Sequence, residues 1–203
     1  MKKVALIDYG SGNLHSVNKA LLHVGADVTM VSAPEGLEGM DAVLLPGVGA
    51  FGDCVSGIRS RGLWDALHGW MQADKPFLGI CVGYQLLFES SEESPDAAGF
   101  GFFAGKVKHF AGNGLKVPQI GWNALSLAGE HTLWRGLPSP PFVYFVHSYF
   151  PEPNDPGVVL ARAEYGETFA AGAGLGRISA VQFHPEKSQA TGLAMLKNWV
   201  ESI

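Results

Sequence analysis

The sequence places one cysteine between two glycines, at the point where an apolar run ends. The residues from Phe77 to Ile80 are apolar, Cys81 follows, and Gly79 and Gly83 lie two residues to either side of it. This pattern is typical of a nucleophile elbow, a sharp strand-to-helix turn that exposes one reactive side chain. A turn this tight leaves no room for Cβ atoms. Cys81 is therefore a candidate nucleophile, and the partial positive charge at the start of a helix favours a thiolate. The alternative is a core cysteine beside two packing glycines.

A candidate base lies near the other end of the chain, in the segment His184-Pro185-Glu186. Proline disfavours helical conformation in the preceding residue, so we expect His184 to be extended. Residues two apart in an extended segment point to the same side, which predicts that Glu186 faces His184. A carboxylate there can orient the imidazole and stabilise the imidazolium while the other nitrogen faces Cys81. The sequence thus predicts a catalytic triad; His147 is a competing base, but no carboxylate follows it two residues on.

The elements that would position these residues alternate between strand and helix through residue 88. Four short apolar runs predict buried strands at Val4–Ile7, Val28–Val31, Ala42–Leu45 and Phe77–Ile80. Helical spacing predicts one helix with Leu14, Val17, Leu21 and Leu22 on its apolar face, another with Val55, Ile58, Trp64, Leu67 and Met71, and an apolar helical segment directly after Cys81. This alternation favours a parallel sheet covered on both faces, with the nucleophile at the carboxyl end of its strand.

After about residue 90 the pattern changes to short strands of antiparallel character. We predict strands at Gly105–Phe110, Val117–Ile120, Phe142–Val146 and Val158–Ala163, with a hairpin turn at Gly112-Asn113-Gly114. A strand at Ser179–Phe183 would return to the central sheet and deliver His184, and a closing helix would bury Leu193, Leu196 and Val200. The expected fold is α/β, a mostly parallel central sheet flanked by helices with an added antiparallel region in the second half, in a single domain over residues 1–203.

Composition narrows the functional classes. The 203 residues are 47% hydrophobic and carry a net charge of −5, so nucleic acid is an unexpected partner. We expect no membrane span or signal peptide, and a thiol nucleophile suits the cytoplasm. The segment Asp8–Asn13 lacks the spacing of a phosphate loop, and no spacing suggests a metal site, so no cofactor or metal is expected. The second cysteine, Cys54, reads as a small helical hydrophobe.

Taken together, the Gly79–Gln85 segment and His184-Pro185-Glu186 resemble the class I (triad) glutamine amidotransferases. The resemblance covers the whole chain and implies hydrolysis of L-glutamine through a cysteinyl thioester, with the ammonia passed to a synthase. Backbone donors for the oxyanion are expected from Val82, which follows the nucleophile, and from the Pro46–Gly49 loop, at Val48 or Gly49. The resemblance also implies that glutamine is held by Gln85, Glu93, Ser148 and Tyr149. The alternative for Glu93 is a place in a solvated acidic run.

Four further segments resemble the ammonia-supplying subunits of imidazole glycerol phosphate synthase, an enzyme of histidine biosynthesis. They are Asp8–Leu14, Pro46–Gly49, Pro118–Asn123 and Tyr144–Tyr149. Gln119 departs from the pattern, because that family often has histidine there. The resemblance implies a heterodimer with a cyclase subunit, a (β/α)8 barrel, and an interface that includes Asn13, Trp122, Tyr144 and Lys187. Three alternatives stay open: a glutaminase subunit of pyridoxal phosphate or anthranilate synthesis, a stand-alone cysteine hydrolase, and a catalytically silent binding subunit.

Overall fold

The apolar runs of the first half form neighbouring strands of one sheet. The computed structural model describes residues 1–10, 12–112 and 114–203. Four strands cover the first half: β1 (Lys3–Ile7), β2 (Asp27–Val31), β3 (Ala42–Leu45) and β4 (Phe77–Ile80). Except at Lys3, the residues of β1, β3 and β4 are buried, as expected for strands covered on both faces. All four predicted strands are confirmed.

Among the described residues, the second half contributes nine strands, which are short and pair mostly in antiparallel fashion. They are β5 (Ser90–Ser91), β6 (Gly105–His109), β7 (Gln119–Ala124), β8 (Ser126–Leu127), β9 (Phe142–His147), β10 (Tyr149–Pro153), β11 (Val159–Glu164), β12 (Thr168–Leu175) and β13 (Ile178–Val181). The central sheet has the order β2-β1-β3-β4-β13-β12-β11-β8. Its first five strands run parallel, and β12, β11 and β8 continue it antiparallel.

Two small sheets complete the fold. One has the order β10-β6-β5, and the other pairs β7 with β9. The predicted architecture, a mostly parallel sheet with an added antiparallel region, is confirmed. The strand that carries the base also returns to the central sheet as predicted, because β13 pairs in parallel with β4.

In the part of the chain that the structure describes, five α-helices accompany the sheets: α1 (Leu14–His23), α2 (Phe51–Ser60), α3 (Leu63–Gln72), α4 (Val82–Gln85) and α5 (Gln189–Ser202). Helix α1 contacts α5, while α2 contacts both α3 and α4. Among the described residues, no helix has the length and apolar character needed to cross a membrane.

Several predicted details are wrong for local reasons. The single helix predicted from Val55 to Met71 is two helices, because Gly62 adopts a left-handed conformation with φ of +68° between them. The strand predicted at Val117–Ile120 begins later, at Gln119, since Pro118 has no N–H to donate to a ladder. Leu22 is exposed rather than on the buried face of α1, which Val17, Ala20 and Leu21 form.

The sequence patterns also missed β10 and β12. The residues of β12 are mostly alanine and glycine, which do not show the alternation or the branched side chains that mark a strand. Two predicted loops fall partly outside the described residues: the turn at Gly112-Asn113-Gly114 contains Asn113, and the Asp8–Asn13 loop contains Ser11.

Candidate active site

Cys81 lies at a strained turn between β4 and α4. Its backbone has φ of 56° and ψ of −112°, a conformation that non-glycine residues rarely adopt and that concentrates at functional sites. Both flanking glycines are required by close backbone approach. A Cβ on Gly79 would lie 2.8 Å from the carbonyl oxygen of Gly83, and a Cβ on Gly83 would collide with the carbonyl of Leu45. The turn therefore has the geometry of a nucleophile elbow.

The helix after the elbow is shorter than the sequence predicts. The apolar residues continue to Phe88, but α4 ends at Gln85. A helix of four residues sums few peptide dipoles, so it supports a thiolate only weakly. Other groups around Cys81 must supply most of the stabilisation.

The candidate base reaches the same sheet edge through strand pairing. Val181 at the end of β13 lies opposite Ile80 at the end of β4, so the chain segments that follow both strands emerge together. The backbone N–H of His184 donates to the carbonyl of Tyr144 at 2.9 Å. Ser188 completes this support, because its hydroxyl donates to the carbonyl of His184 at 2.6 Å and accepts from the backbone N–H of Tyr144 at 2.9 Å.

Glu186 contacts His184 as predicted, but by a different local route. His184 is extended, whereas Pro185–Lys187 form a 3₁₀ turn instead of continuing the extended segment. The turn still brings Oε1 of Glu186 to 2.8 Å from Nδ1 of His184, with both side chains buried. Because the acceptor is a carboxylate, Nδ1 carries a proton, which leaves Nε2 for exchange with a reactant.

The electrostatic environment keeps His184 protonated near neutral pH. Burial by itself lowers its pKa, but the interactions of the ring with Cys81 and then with Glu186 outweigh that effect and raise the pKa to about 10. Among the described residues, Nε2 of His184 has no hydrogen-bond partner, so it is available to a reactant. A protonated imidazole beside a cysteine can stabilise a thiolate nucleophile and can give a proton to the group that the nucleophile displaces.

A cavity of about 420 Å³ opens over Cys81 and His184. Its lining includes all the residues predicted to hold the oxyanion or glutamine: Val48, Gly49, Val82, Gln85, Glu93, Ser148 and Tyr149. Glu186 lies behind His184 and does not line it. A larger cavity of about 690 Å³, around residues 127–135, contains no cysteine. The described residues contain no cluster of His, Cys, Asp and Glu arranged to hold a metal ion.

The Pro46–Gly49 loop lies against the elbow, held by hydrogen bonds to three successive carbonyls. The hydroxyl of Tyr9 donates to the carbonyl of Pro46 at 2.9 Å, and Val82 N–H donates to the carbonyl of Gly47 at 3.4 Å. The thiol of Cys54 donates to the carbonyl of Val48 at 3.7 Å. Cys54, read from the sequence as a small hydrophobe, is thus also a hydrogen-bond donor to this loop.

The side-chain nitrogen of Gln85 makes both of its hydrogen bonds within the protein. Its Nε2 donates to the carbonyl of Tyr149 at 3.0 Å and to Oε1 of Gln182 at 3.2 Å. Gln182 in turn donates from Nε2 to Sγ of Cys81 at 3.7 Å. Nothing in the sequence marks Gln182 for a role at the site, because a glutamine beside a buried strand carries no distinguishing pattern.

Glu93 lines the cavity and also accepts a hydrogen bond from the backbone. Its Oε2 accepts the backbone N–H of Phe51, the first residue of α2, at 2.8 Å. A carboxylate at this position satisfies one of the unpaired amides of a helix start. This bond fixes the Glu93 side chain at the start of α2 while it lines the cavity.

His147, the competing base, is engaged elsewhere. Its Nδ1 lies 2.8 Å from the carbonyl of Tyr149 and its Nε2 lies 2.9 Å from the side-chain oxygen position of Gln119. Burial lowers its pKa to about 4, so the ring is neutral near pH 7. A neutral ring donates from Nδ1 to the carbonyl and accepts at Nε2 from the Gln119 amide, turned to present its nitrogen. His147 thus supports Tyr149 rather than replacing His184.

The residues predicted at a partner interface fall into two groups. Trp122 on β7 lies opposite Tyr144 on β9, with ring centroids 6.0 Å apart. Ile120, Trp122 and Phe142 are exposed by 63%, 47% and 52%, which is unusual for large apolar side chains in adjacent strands. Lys187 instead lines the cavity, and Asn13 lines a small space shared with Val48, His184 and Glu186.

The chain is similar in sequence to known glutamine amidotransferases. Residues 5–203 match the family model described as "Glutamine amidotransferase class-I". The chain is 49% identical to imidazole glycerol phosphate synthase subunit HisH 1 of Pseudomonas aeruginosa, covering 98% of this chain and 97% of that protein. It is 45% identical to subunit HisH of the same enzyme from Methylococcus capsulatus, over 98% of this chain and 96% of that one.

Solved structures share the fold at lower identity. A structure titled "Structure of PurLQS from Thermotoga maritima" matches with a TM-score of 0.77 and 19% identity, covering all of this chain and 97% of that one. A structure titled "Crystal structure of glutamine amidotransferase" matches with a TM-score of 0.76 and 21% identity, over 98% of this chain and 99% of that one.

Proposed function

The chain belongs to the class I glutamine amidotransferase family, and we propose that it is the glutaminase subunit of an imidazole glycerol phosphate synthase. In this role it hydrolyses L-glutamine to glutamate and ammonia. The ammonia passes to a cyclase subunit, a (β/α)8 barrel, which makes imidazole glycerol phosphate and AICAR in histidine biosynthesis. The observation that carries the glutaminase chemistry is the strained Cys81 elbow beside a buried His184–Glu186 pair at the floor of one cavity.

Covalent catalysis follows from the charge states at the site. The thiolate of Cys81 attacks the side-chain amide carbon of glutamine, and the imidazolium of His184 gives its Nε2 proton to the departing nitrogen, so ammonia leaves as the C–N bond breaks. Neutral His184 then takes a proton from water, the resulting hydroxide attacks the thioester, and the Cys81 thiolate leaves with glutamate as the product. Glu186 holds the ring and stabilises its charged form.

Both tetrahedral intermediates carry an oxyanion that needs backbone donors. Val82 N–H is the first candidate, because it follows the nucleophile directly. The loop residues Val48 and Gly49 are candidates for the second. In the present conformation Val82 N–H is occupied by the Gly47 carbonyl, so the oxyanion site requires a rearrangement of that peptide.

Glutamine binding is assigned to four residues that line the cavity. Gln85 uses both hydrogens of its amide on protein acceptors, so only Oε1 remains to accept a hydrogen bond from the substrate. Glu93 would pair with the α-ammonium group. Ser148 and Tyr149 lie beside each other in the wall and would hold the rest of the amino-acid moiety.

Partner binding is assigned to the apolar face of the β7–β9 pair. Exposed Trp122 and half-buried Tyr144 lie on it, and Tyr144 also holds the backbone of His184. A cyclase seated there would contact the residue that supports the base. Asn13 and Lys187 are proposed to extend the interface toward the cavity mouth. The nucleophilic thiol suits the reducing cytoplasm, where we expect the complex to work.

Reconstitution with a cyclase subunit tests the proposal. The purified chain should co-elute with the barrel subunit and form imidazole glycerol phosphate from glutamine and the cyclase's nucleotide substrate.

Ile120→Asp should weaken the complex, because it places a charge within the apolar face. Leu175→Asp is the matched control, since Leu175 is equally exposed but lies at the far end of β12. Glutamine hydrolysis without complex formation would favour a stand-alone hydrolase, and a complex with a pyridoxal phosphate or anthranilate synthase would assign another pathway.

A further inference from the structure

We propose that Gln182 is a further catalytic residue, whose buried carboxamide donates a hydrogen bond to the sulfur of Cys81 and stabilises the thiolate. This inference deepens the proposed glutaminase function and rests on it for its catalytic meaning. The contact itself is a property of the chain alone.

The position of Gln182 suits a permanent partner of the nucleophile. Its side chain is wholly buried, and its backbone N–H donates to the carbonyl of Ala171 on β12 at 2.9 Å. The amide nitrogen lies 3.7 Å from Sγ of Cys81, within the longer range that hydrogen bonds to sulfur require. Gln182 does not line the cavity, so a bound glutamine would not displace it.

The orientation of the Gln182 amide follows from a chain of contacts that starts at a backbone carbonyl. The carbonyl of Tyr149 can only accept, so Gln85 must turn its nitrogen toward it. The same nitrogen then points a second hydrogen at Gln182, which must present its oxygen there. The nitrogen of Gln182 is therefore left facing Cys81.

The thiolate needs such a donor. Cys81 is 4% exposed, so water supplies little solvation to its charge, and α4 is too short to supply a large dipole. His184 acts from one side as an imidazolium. When that proton passes to the leaving nitrogen, Gln182 remains the donor to sulfur, and it is still in place when the thiolate is expelled from the thioester.

The experiment measures the reactivity of Cys81 in the full chain, without glutamine or partner. Alkylation by iodoacetamide is followed against pH, with the modified peptide identified by mass spectrometry to separate Cys81 from Cys54. In Gln182→Met, which keeps the length of the side chain but cannot donate, we expect slower alkylation at pH 7. We expect about a tenfold to hundredfold loss, the range for a hydrogen bond to a charged group, and a higher midpoint of the pH profile. Gln119→Met is the matched control, because Gln119 is another buried glutamine whose side chain bonds to His147 and not to Cys81.

An unchanged alkylation profile in folded Gln182→Met would overturn the proposal, and so would an equal loss in Gln119→Met. A second measurement on the wild-type chain covers the case in which Gln182→Met does not fold. The side-chain amide resonances of Gln182 should shift with the same midpoint as Cys81 alkylation and lose that response in Cys81→Ala. Resonances that stay flat through the titration would also overturn it. Neither readout depends on glutamine turnover, so a failure of the proposed function would appear separately, in the reconstituted synthase.

Discussion

The backbone N–H of Val82 donates to the carbonyl oxygen of Gly47 across 3.4 Å. The donor that would stabilise an oxyanion is thus satisfied by a neighbouring peptide, which turns its carbonyl and not its N–H toward the reaction centre. The approach is close, since a Cβ on Gly47 would lie 2.6 Å from the backbone nitrogen of Gly83. We expect rotation of this peptide to switch the site between a resting and an active state.

The first prediction is that the isolated chain hydrolyses glutamine slowly and that the cyclase carrying its nucleotide substrate accelerates it. A missing oxyanion donor typically costs about 10²–10³ in rate, so activation of that order is expected when the peptide turns. Glutamate release should be measured for the chain alone, with the cyclase, and with the cyclase plus nucleotide. A chain that already matches the loaded complex would eliminate the switch.

The second prediction concerns Tyr9, whose hydroxyl holds the loop carbonyl of Pro46. Tyr9→Phe removes one hydrogen bond from the resting loop, worth about 1 kcal/mol, so basal hydrolysis by the isolated chain should rise about fivefold. The rate of the activated complex should change less. Tyr84→Phe is the control, because Tyr84 is also buried but donates to the carbonyl of Ala170, away from the loop. A basal rate that rises equally in both variants would refute a specific role for Tyr9.

The third prediction separates the two subunits' chemistries. Cys81→Ala should abolish glutamine-dependent synthesis by the complex, because no thioester can form, while synthesis from added ammonium salt at high pH continues. Product formation with each nitrogen source is the measurement. If Cys81→Ala still turns over glutamine, Cys81 is not the nucleophile. Loss of the ammonia-dependent reaction in an intact complex would indicate a structural effect on the partner.

The fourth prediction addresses Glu186, which accepts a hydrogen bond from His184 Nδ1. Glu186→Gln keeps the shape but removes the charge, so hydrolysis should fall by about 10²–10⁴ yet stay measurable above Cys81→Ala. The pH profile of glutamine hydrolysis provides a second test of this role. Glu186 helps to raise the pKa of His184 to about 10, so its loss should move the alkaline limb of activity to lower pH. Complete inactivity in both variants, with folding intact, would mean that Glu186 does more than orient and support the ring.

The fifth prediction is acid destabilisation through His147. Its native pKa of about 4 lies below the ordinary value of 6.5, so the unfolded state binds the proton more readily. The stability that this ring contributes is full above about pH 6.5 and is lost as the pH falls toward 4, by about 2–3 kcal/mol. His184 acts in the opposite direction, because its native pKa of about 10 lies above the ordinary value of 6.5. The stability that it contributes is full below about pH 6.5 and is lost as the pH rises from there toward 10, so it cannot cause a loss in acid. Urea unfolding at pH 7 and pH 4.5 should show the difference, and His147→Gln should flatten it. The same acid loss in His147→Gln would assign the effect to other groups.

The sequence predicts the chemistry at this site better than it predicts the frame around it. Cys81 lies between two glycines, each two residues away, which mark a sharp turn. His184 directly precedes a proline, which marks an extended residue. The apolar runs of β1, β3 and β4 are unambiguous because strands buried on both faces need no alternation. The residue roles carried by family resemblance stay predictions, although the structure gathers the assigned catalytic, oxyanion and glutamine-binding residues around one cavity, with Glu186 behind its wall.

What the sequence could not predict depends on contacts between distant segments. Nothing in its neighbours distinguishes Gln182 from an ordinary residue next to a strand; its meaning comes from Gln85 and Cys81, about a hundred residues earlier. The 3₁₀ turn at Glu186 preserves the predicted contact, since Pro185 suits the first position of such a turn as well as an extended segment. The strand at β12 forms because its neighbours on both sides pair with it, not because of its own side chains.

The position of β13 between β4 and β12 bears on how the chain folds during its synthesis on the ribosome. This strand follows every other strand of the described residues along the chain, yet it occupies the interior of the central sheet. Until it inserts, β4 and β12 have no shared neighbour, and the segment carrying His184 has not reached the nucleophile. A nascent chain that has already made Cys81 therefore has no base beside its nucleophile until the segment that carries His184 has emerged and β13 has inserted beside β4.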